Sequence, residues 1–156
     1  MNEVAIRKMK SNDLETVSEL AMLANPFAEK EEYRKHLEEE LENMAEFAFV
    51  AVRDRRVVGY VMGDVHGSHA TLEDIAVDKP YQGQGIGTQL LETELKAINK
   101  SSRSKIVVAE VHYKCASAIP FYYKHSFRIS GVCRNFFGMD HDAIILELIL
   151  AKTEKQ

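Results

Sequence analysis

The chain contains the segment Asp78-Lys79-Pro80-Tyr81-Gln82-Gly83-Gln84-Gly85-Ile86-Gly87-Thr88-Gln89. The run from Ala70 to Val77 before it is typical of a buried strand, and the apolar residues after it have helical spacing, at Ile86, Leu90, Leu91, Leu95 and Ile98. Three glycines within five residues allow a sharp turn and leave no side chain between the backbone amides and a bound group. Because free N–H groups and the positive end of the helix dipole meet at a helix N-terminus, the segment predicts a phosphate-binding turn between a strand and a helix.

The glycine spacing fits neither of the two common nucleotide-binding turns. A mononucleotide P-loop has Lys-Ser or Lys-Thr after its last glycine, whereas Gly87 is followed by Thr88 and Gln89. A dinucleotide turn has the pattern Gly-x-Gly-x-x-Gly, whereas Gly83, Gly85 and Gly87 are spaced two and two. Taken alone, the segment also fits an ordinary helix entry, so the nature of the anion has to come from the rest of the chain.

Length and composition predict one globular domain. The chain has 156 residues, of which 46% are apolar, and we expect a single domain over residues 1–151 with a loose tail at 152–156. No apolar run reaches the length of a membrane span, and the first residues lack the layout of a signal peptide, so the sequence predicts a cytoplasmic protein that binds no membrane. Cys115 and Cys133 form no Cys-x-x-Cys pair and are expected to be reduced thiols.

The net charge and the spacing of possible metal ligands limit the classes of partner that the chain can bind. The formal net charge of −4 gives no indication of a nucleic-acid partner and weakly favours a cationic or amine-bearing one. Asp64, His66 and His69 lie close together in a predicted loop, but no further cluster of ligands accompanies them, so we expect no metal. The oligomeric state is left as a monomer or a homodimer.

Apolar periodicity predicts an α+β (mixed α/β) fold in the order strand, two helices, three strands, helix, strand, helix, two strands. Arg53-Asp54-Arg55-Arg56 separates two apolar strands and predicts a hairpin with a four-residue connection. The strand before the glycine turn and the one after its helix are expected to pair in parallel. The predicted strands are 4–9, 47–52, 57–62, 70–77, 106–111, 128–132 and 143–150, and the predicted helices lie at 14–25, 33–44, 86–98 and 118–122.

Two segments resemble the GNAT family of N-acetyltransferases. Gln82, Gly85 and Gly87 match its signature (Gln/Arg)-x-x-Gly-x-(Gly/Ala), and Ala118-Ile119-Pro120-Phe121-Tyr122-Tyr123-Lys124-His125-Ser126-Phe127 is similar to its Ala-Ile-x-Leu-Tyr-Glu-Lys-x-Gly-Phe helix. The predicted order of elements also resembles that of the family over nearly the whole chain. The resemblance implies the GNAT fold, a mixed sheet of about seven strands flanked by about four helices, and a turn that holds the pyrophosphate of acetyl-coenzyme A.

Within the family, the chain most resembles the RimI-type enzymes, which acetylate protein N-termini. In those enzymes a glutamate precedes the conserved tyrosine by twelve positions, as Glu110 precedes Tyr122 here (122 − 110 = 12). Their late Arg-Asn-Tyr-Tyr and Asp-Ala-Ile-Ile segments are similar to Arg134-Asn135-Phe136-Phe137 and Asp142-Ala143-Ile144-Ile145. The resemblance thus implies transfer of an acetyl group to a primary amine by direct attack in a ternary complex.

The chemistry of that transfer assigns a role to each candidate residue. An amine attacks a thioester only when it is neutral, so Glu110 is the candidate base, directly or through a water, and Tyr122 is the candidate acid for the departing thiolate. The resemblance implies a backbone N–H near Val77 that polarises the thioester carbonyl. The alternatives are that Glu110 pairs with an arginine such as Arg134 and that Tyr122 is a core residue. The residues expected to contact the coenzyme are Ile75, Val77, Gln82, Gly83, Gln84, Gly85, Ile86, Gly87, Thr88 and Cys115.

The acceptor amine is left open by departures from the family pattern. Cys115 stands where the family usually has an asparagine, and Phe136 and Phe137 replace a tyrosine pair whose hydroxyls hold the acceptor peptide in N-terminal acetyltransferases. Leu72-Glu73-Asp74 also resembles a Leu/Ile-Glu-Asp segment of polyamine and streptothricin acetyltransferases. Three hypotheses follow: a protein N-terminal or lysyl acetyltransferase, an enzyme for a small amine of the polyamine, streptothricin or aminoglycoside type, and an acyl-coenzyme A-binding sensor without turnover.

Overall fold

Seven strands form one mixed sheet in the computed structural model, which describes residues 3–101 and 104–150. The strand order is β1-β2-β3-β4-β5-β7-β6, and β4 with β5 is the parallel pair in this part of the chain. The predicted fold class is therefore confirmed. The strands are β1 Ala5–Lys8, β2 Ala48–Arg53, β3 Arg56–His66, β4 His69–Val77, β5 Ile106–His112, β6 Arg128–Cys133 and β7 Ala143–Ile149, and the α-helices are α1 Leu14–Ala24, α2 Lys30–Met44, α3 Ile86–Ser101 and α4 Ile119–Lys124.

Amphipathic helices cover both faces of the sheet. On one face α1 and α2 bury Val17, Ala21 and Leu37 against β2 and β3, and on the other face α3 buries Leu90 and Ile98. Each fully buried aliphatic side chain of this kind contributes about 1.5–3 kcal/mol of burial free energy, so the two cores fix the helices on the sheet. In the described ranges no helix combines the length and the apolar character that a membrane span requires.

Two predicted connections are shorter than the sequence indicated. Arg53 and Arg56 pair with each other, and the first hairpin turns through Asp54 and Arg55, which both have positive φ, of 51° and 63°. The predicted loop from Asp64 to His69 is wrong, because β3 continues to His66 and β4 begins at His69 across a second tight turn. In both places polar residues continue the ladder at the end of a hairpin; Arg56, His66 and His69 are exposed there, whereas Asp64 is buried. The tail predicted at 152–156 lies outside the described residues, as do residues 102 and 103, which lie between the predicted helix 86–98 and the predicted strand 106–111.

A β-bulge interrupts the central strand. Glu73 is an extra residue between Leu72 and Asp74 in the pairing of β4 with β3. A bulge shifts the alternation of side chains by one position. Leu72 therefore packs in the core beneath α3, whereas Ala76 packs on the α1 and α2 side.

The parallel strands separate directly beyond the bulge. β4 and β5 pair from His69 with Ile106 to Leu72 with Ala109, and no pairing continues beyond that register. β4 extends to Val77 on one side of the resulting gap, and β5 extends to His112 on the other. The backbone groups that would have joined the two strands therefore face an open space between them.

Candidate active site

A cleft of about 730 Å³ occupies the gap between β4 and β5. Its wall includes the glycine turn at one end of β4 and the carboxylate-bearing segment Glu73–Asp74, together with Glu110 and Tyr122. The structure therefore brings the predicted catalytic residues and the predicted coenzyme-binding residues into one cavity, with the exception of Gln84.

The glycine turn presents backbone amides to the cleft. Gly83 and Gly85 have positive φ, of 74° and 81°, and a Cβ at either position would have no atom of the protein within 4 Å. The first intrahelical hydrogen bond runs from the amide of Gln89 to the carbonyl of Gly85 at 3.1 Å, so the preceding amides keep the free N–H groups of a helix start. The side chain of Gln82 closes the turn by donating to the carbonyl of Val77 at 2.8 Å. This arrangement suits an anionic group such as a phosphate.

Gln84 is the predicted coenzyme residue whose side chain lies elsewhere. Its carbonyl oxygen accepts a hydrogen bond from Arg53 at 2.7 Å, and its amide nitrogen donates to the carbonyl of Pro80 at 3.3 Å. It does not belong to the cleft wall. The side chain therefore fixes the outer edge of the turn against β2, and only its backbone remains as a candidate contact.

Helix α4 packs directly against the start of α3. A Cβ at Gly87 would lie 3.4 Å from the ring of Phe121, so glycine allows this close approach. Thr88 and His125 are joined by a hydrogen bond of 3.1 Å between Oγ1 and Nε2. These contacts fix α4, which carries Tyr122, relative to the glycine turn.

Cys115 lies in the cleft wall with its thiol engaged by the protein. Sγ donates to the carbonyl of Ala24, at the end of α1, at 3.5 Å. Burial raises the pKa of this thiol, so it stays protonated at neutral pH. The contact joins α1 to the segment between β5 and α4.

Tyr122 is buried beside two carboxyl groups. Its residue exposure is 7%, and its pKa is raised by burial and further by the charges of Asp74 and Glu110. The pKa of Glu110 is also raised, first by burial and then by the charge of Glu73. Arg134, the alternative partner proposed for Glu110, is exposed, and no ion pair joins the two within residues 3–101 and 104–150. Glu110 therefore binds a proton more tightly than an ordinary carboxyl group, and the nearby phenol of Tyr122 keeps its proton.

Asp74 links the cleft to the connection between α1 and α2. Its carboxylate accepts a hydrogen bond of 2.9 Å from the side-chain amide of Asn25, which also lies 3.3 Å from the hydroxyl of Tyr33. Burial raises the pKa of Asp74 to about 7, against a smaller lowering by the hydrogen bond from Asn25. No local sequence pattern predicts this pair, because its members lie 49 positions apart.

An aromatic cluster forms another part of the wall. Phe27 stacks on the imidazole of His112 with 4.0 Å between ring centroids, and Phe137 lies 5.3 Å from Phe27. Nδ1 of His112 accepts from the amide of Lys114, so Nε2 carries the proton and donates to Nδ1 of His141 at 2.9 Å. Burial lowers the pKa of His112, which keeps it neutral. His112 was not predicted as a site residue, although it lines the cleft together with Phe137.

Comparison with known proteins identifies the family. The model of the acetyltransferase (GNAT) family matches residues 14–127. The chain belongs to the GNAT acetyltransferase family. A GNAT relative from Methanocaldococcus jannaschii, named an uncharacterized N-acetyltransferase, is 32% identical over 142 residues, which cover 90% of this chain and 88% of the relative.

Two further GNAT proteins are similar over most of their length. An N-alpha-acetyltransferase of Sulfurisphaera tokodaii is 30% identical over 156 residues, covering 92% of each chain. The crystal structure of the ribosomal-protein-S18-alanine N-acetyltransferase from Escherichia coli is 26% identical, with a TM-score of 0.75 over 99% of both chains. The chain is therefore an acetyl-coenzyme A-dependent N-acetyltransferase of the GNAT type, as predicted, and the sensor hypothesis is not supported.

We expect Gly85→Ala to weaken coenzyme A binding by about tenfold or more, since the new methyl group covers backbone amides that a phosphate approaches and charge-assisted hydrogen bonds are lost. Isothermal titration calorimetry with coenzyme A measures the effect.

Gly67→Ala is the matched control for this change. Gly67 also has a positive φ, of 60°, and free space around a new Cβ, but it lies in the β3–β4 turn and not in the cleft wall. It therefore carries the same backbone strain without touching the proposed phosphate site. Equal loss of affinity in both variants would show that strain, and not the cleft position, causes the effect.

Proposed function

We propose that this enzyme transfers the acetyl group of acetyl-coenzyme A to the α-amine of a protein N-terminus. The observation that carries the proposal is the single cleft that contains the glycine turn, Glu110 and Tyr122. An apolar and aromatic wall with Leu23, Pro26 and Phe137 supports a peptide acceptor, because it can receive the first side chains of a chain end. The names of the Sulfurisphaera tokodaii and Escherichia coli relatives point to the same class of acceptor.

The coenzyme fits the donor part of the cleft. The pyrophosphate would accept hydrogen bonds from the amides between Gln82 and Thr88, at the positive end of the α3 dipole. Ile75 and Val77 line the same wall from β4, whose free edge supplies an N–H for the thioester carbonyl. Cys115 contributes packing here, since its thiol donates to Ala24.

Glu110 and Tyr122 supply the proton transfers of the reaction. Glu110 accepts one proton from the ammonium form of the acceptor, and the neutral nitrogen then forms a bond to the acetyl carbon. As the carbon–sulfur bond breaks, Tyr122 donates a hydrogen bond or proton to the departing thiolate. The second proton of the nitrogen passes to the sulfur or replaces the proton of Tyr122, so the products are the amide, the free thiol and protonated Glu110. A peptide α-amine, with a pKa near 8, places a smaller demand on the base than a lysine amine near 10. A carboxyl group with a raised pKa is better matched to the α-amine than to the lysine amine, because its proton affinity is closer to that of the α-amine.

A small cationic amine is the second candidate acceptor. Three carboxyl groups line the cleft at Glu73, Asp74 and Glu110, and no basic side chain is ion-paired with Asp74 or Glu110 in the part of the chain that the structure describes. Such a wall attracts a polyamine or an aminoglycoside through its charge. The two candidates differ in what they require, since a peptide needs the apolar wall and a polyamine needs only the carboxylates.

An acceptor panel distinguishes these functions. We expect thiol release from acetyl-coenzyme A with peptides that carry a free N-terminus, and at least about a hundredfold lower kcat/KM with spermidine, an aminoglycoside or the same peptides blocked at the N-terminus but carrying a lysine. Mass spectrometry of the product locates the acetyl group. A preference for spermidine would replace the proposed function by the second candidate.

Tyr122→Phe is expected to lower kcat by about 10²-fold or more with little change in coenzyme A affinity, because the ring remains in place and the hydroxyl is lost. Steady-state kinetics with the best peptide and calorimetry with coenzyme A measure the two effects. Tyr123→Phe is the matched control, since Tyr123 lies next in the sequence and is 41% exposed. An unchanged kcat in Tyr122→Phe would remove this hydroxyl from the mechanism.

Glu110→Gln is expected to lower kcat by about 10²-fold and to change the pH profile. The raised pKa of Glu110 means that the wild-type base is lost as the pH falls through that pKa, so activity declines on the acid side. In the variant this decline disappears, and the limb set by the α-amine of the same peptide remains.

Glu147→Gln on β7 provides the control, because Glu147 is exposed and not part of the cleft wall. Its kcat and pH profile should equal those of the wild type. A wild-type acid limb in Glu110→Gln would show that another group acts as the base.

A further inference from the structure

A mixed cluster of ligand-type side chains lies where α2 crosses β4. His36 and Glu40 are four residues apart on α2, so both project from one helix face, and Glu73 approaches them from the bulge of β4. Suitable ligand atoms of the three residues all lie within 4.8 Å of one another. Nε2 of His36 is 3.7 Å from Oε2 of Glu73, which is an ion-pair distance and too long for a good hydrogen bond.

Two carboxylate oxygens in this region are buried and have no hydrogen-bond partner among the residues that the structure describes. One is Oε2 of Glu40, and the other is Oδ1 of Asp64 on the neighbouring strand β3. Asp64 as a residue is 8% exposed, and its other oxygen contacts Nε2 of His66. Burial raises the pKa of Glu40, and the charges of Glu73 and Asp64 raise it further. Buried oxygens of this kind are costly without a partner, and a cation beside them would offset that cost.

We propose that a divalent transition-metal ion, with Zn²⁺ as the best fit, binds between α2 and β4 through His36, Glu40 and Glu73. One imidazole and two carboxylates form a donor set that Zn²⁺ accepts in four-coordinate sites, whereas Mg²⁺ and Ca²⁺ prefer oxygen ligands alone. Tetrahedral bonds of about 2.0–2.2 Å place ligand atoms roughly 3.4 Å apart. The ligand atoms now lie within 4.8 Å of one another, and rotation of the Glu40 and Glu73 side chains would bring them to this shorter spacing.

Asp64 and His66 complete the surroundings of the site. Oδ1 of Asp64 would accept a hydrogen bond from a metal-bound water, and His66 already pairs with the other oxygen of Asp64. The metal would join α2, β3 and β4, three elements that are held together here by the core around Leu37. It would also neutralise Glu73, which lines the cleft, so the site lies beside the acceptor.

Sequence analysis predicts no metal because Asp64, His66 and His69 lack a further ligand nearby in the chain. The missing ligands come from α2, about 25–30 residues earlier, and from the bulge of β4. The proposed site does not depend on the proposed chemistry, since no step of acetyl transfer passes through the metal.

Zn²⁺ titration by calorimetry tests the site. The full-length protein is used without a histidine tag, and every variant carries Cys133→Ser, because exposed Cys133 is itself a zinc ligand type. We expect one Zn²⁺ per chain, and affinity at least about tenfold weaker in His36→Ala and in Glu40→Gln. Co²⁺ in place of Zn²⁺ should give visible absorption bands that are absent in His36→Ala.

His141→Gln is the matched control, because it removes an imidazole from the separate His112–His141 pair. It should bind Zn²⁺ as tightly as the parent, and Zn²⁺ should raise the melting temperature of the parent and of His141→Gln but not that of His36→Ala. Absence of saturable Zn²⁺ binding to the parent would overturn the proposal. Equal affinity in the parent and in His36→Ala would overturn it too, since the ion would then lie elsewhere.

Discussion

The separation of β4 and β5 after Leu72 and Ala109 is the constraint on which the site depends. Two parallel strands that stay paired leave no room between them, whereas here each strand continues with its outer neighbour and exposes its other edge to the gap. The bulge at Glu73 occurs at the same point, so the change in side-chain direction and the opening of the sheet coincide. The helix that begins at Ile86 then brings its N-terminus to the end of β4, which places an anion site beside the open edge.

Three carboxyl groups line this gap, those of Glu73, Asp74 and Glu110, and among the described residues no basic side chain is ion-paired with Asp74 or Glu110. Burial raises the pKa of Asp74 and of Glu110. The hydrogen bond from Asn25 partly offsets this rise at Asp74, and the charge of Glu73 adds to it at Glu110. Such a site favours a ligand that brings positive charge or a proton, which an amine does and a nucleic acid does not. The glycine turn at the end of β4 favours an anionic group instead, so one cleft has an anion-binding part and a cation-binding part. This division matches an anionic coenzyme and a basic acceptor.

The sequence predicted the elements and the glycine turn because these depend on local patterns. Apolar periodicity located β4 and α3, and the family resemblance brought Glu110 and Tyr122 to one place. The bulge at Glu73 was not predicted. The adjacent polar residues Glu73 and Asp74 do interrupt the alternation along Ala70–Val77, but the extra residue is defined only by the pairing with β3.

The burial of one polar residue was not predicted, for a related reason. Glu94 on α3 is fully buried with both oxygens unpartnered, and burial raises its pKa to about 9, so it is held as the neutral acid. Its carboxyl group contacts the backbone of Gly63, a position where any side chain would collide with it. Helical spacing assigned the apolar stripe of α3 correctly but gave no reason to bury a glutamate. The space for its carboxyl group exists because residue 63 on β3, 31 positions earlier in the chain, is a glycine (94 − 63 = 31).

The raised pKa of Tyr122 bears on how the proposed reaction ends. A coenzyme thiolate has a proton affinity near pKa 8.5, and a phenol of ordinary pKa near 10 is already about 1.5 units higher, which makes complete transfer unfavourable by roughly 2 kcal/mol. Burial and the charges of Asp74 and Glu110 increase that difference. Tyr122 therefore acts best as a hydrogen-bond donor that stabilises negative charge on sulfur as the bond breaks. Protonation of a neighbouring carboxylate removes a charge that raises the pKa of the phenol and makes proton transfer more favourable. In the proposed reaction Glu110 is already protonated when the carbon–sulfur bond breaks, so one of the two charges that raise the pKa of Tyr122 is absent at that step.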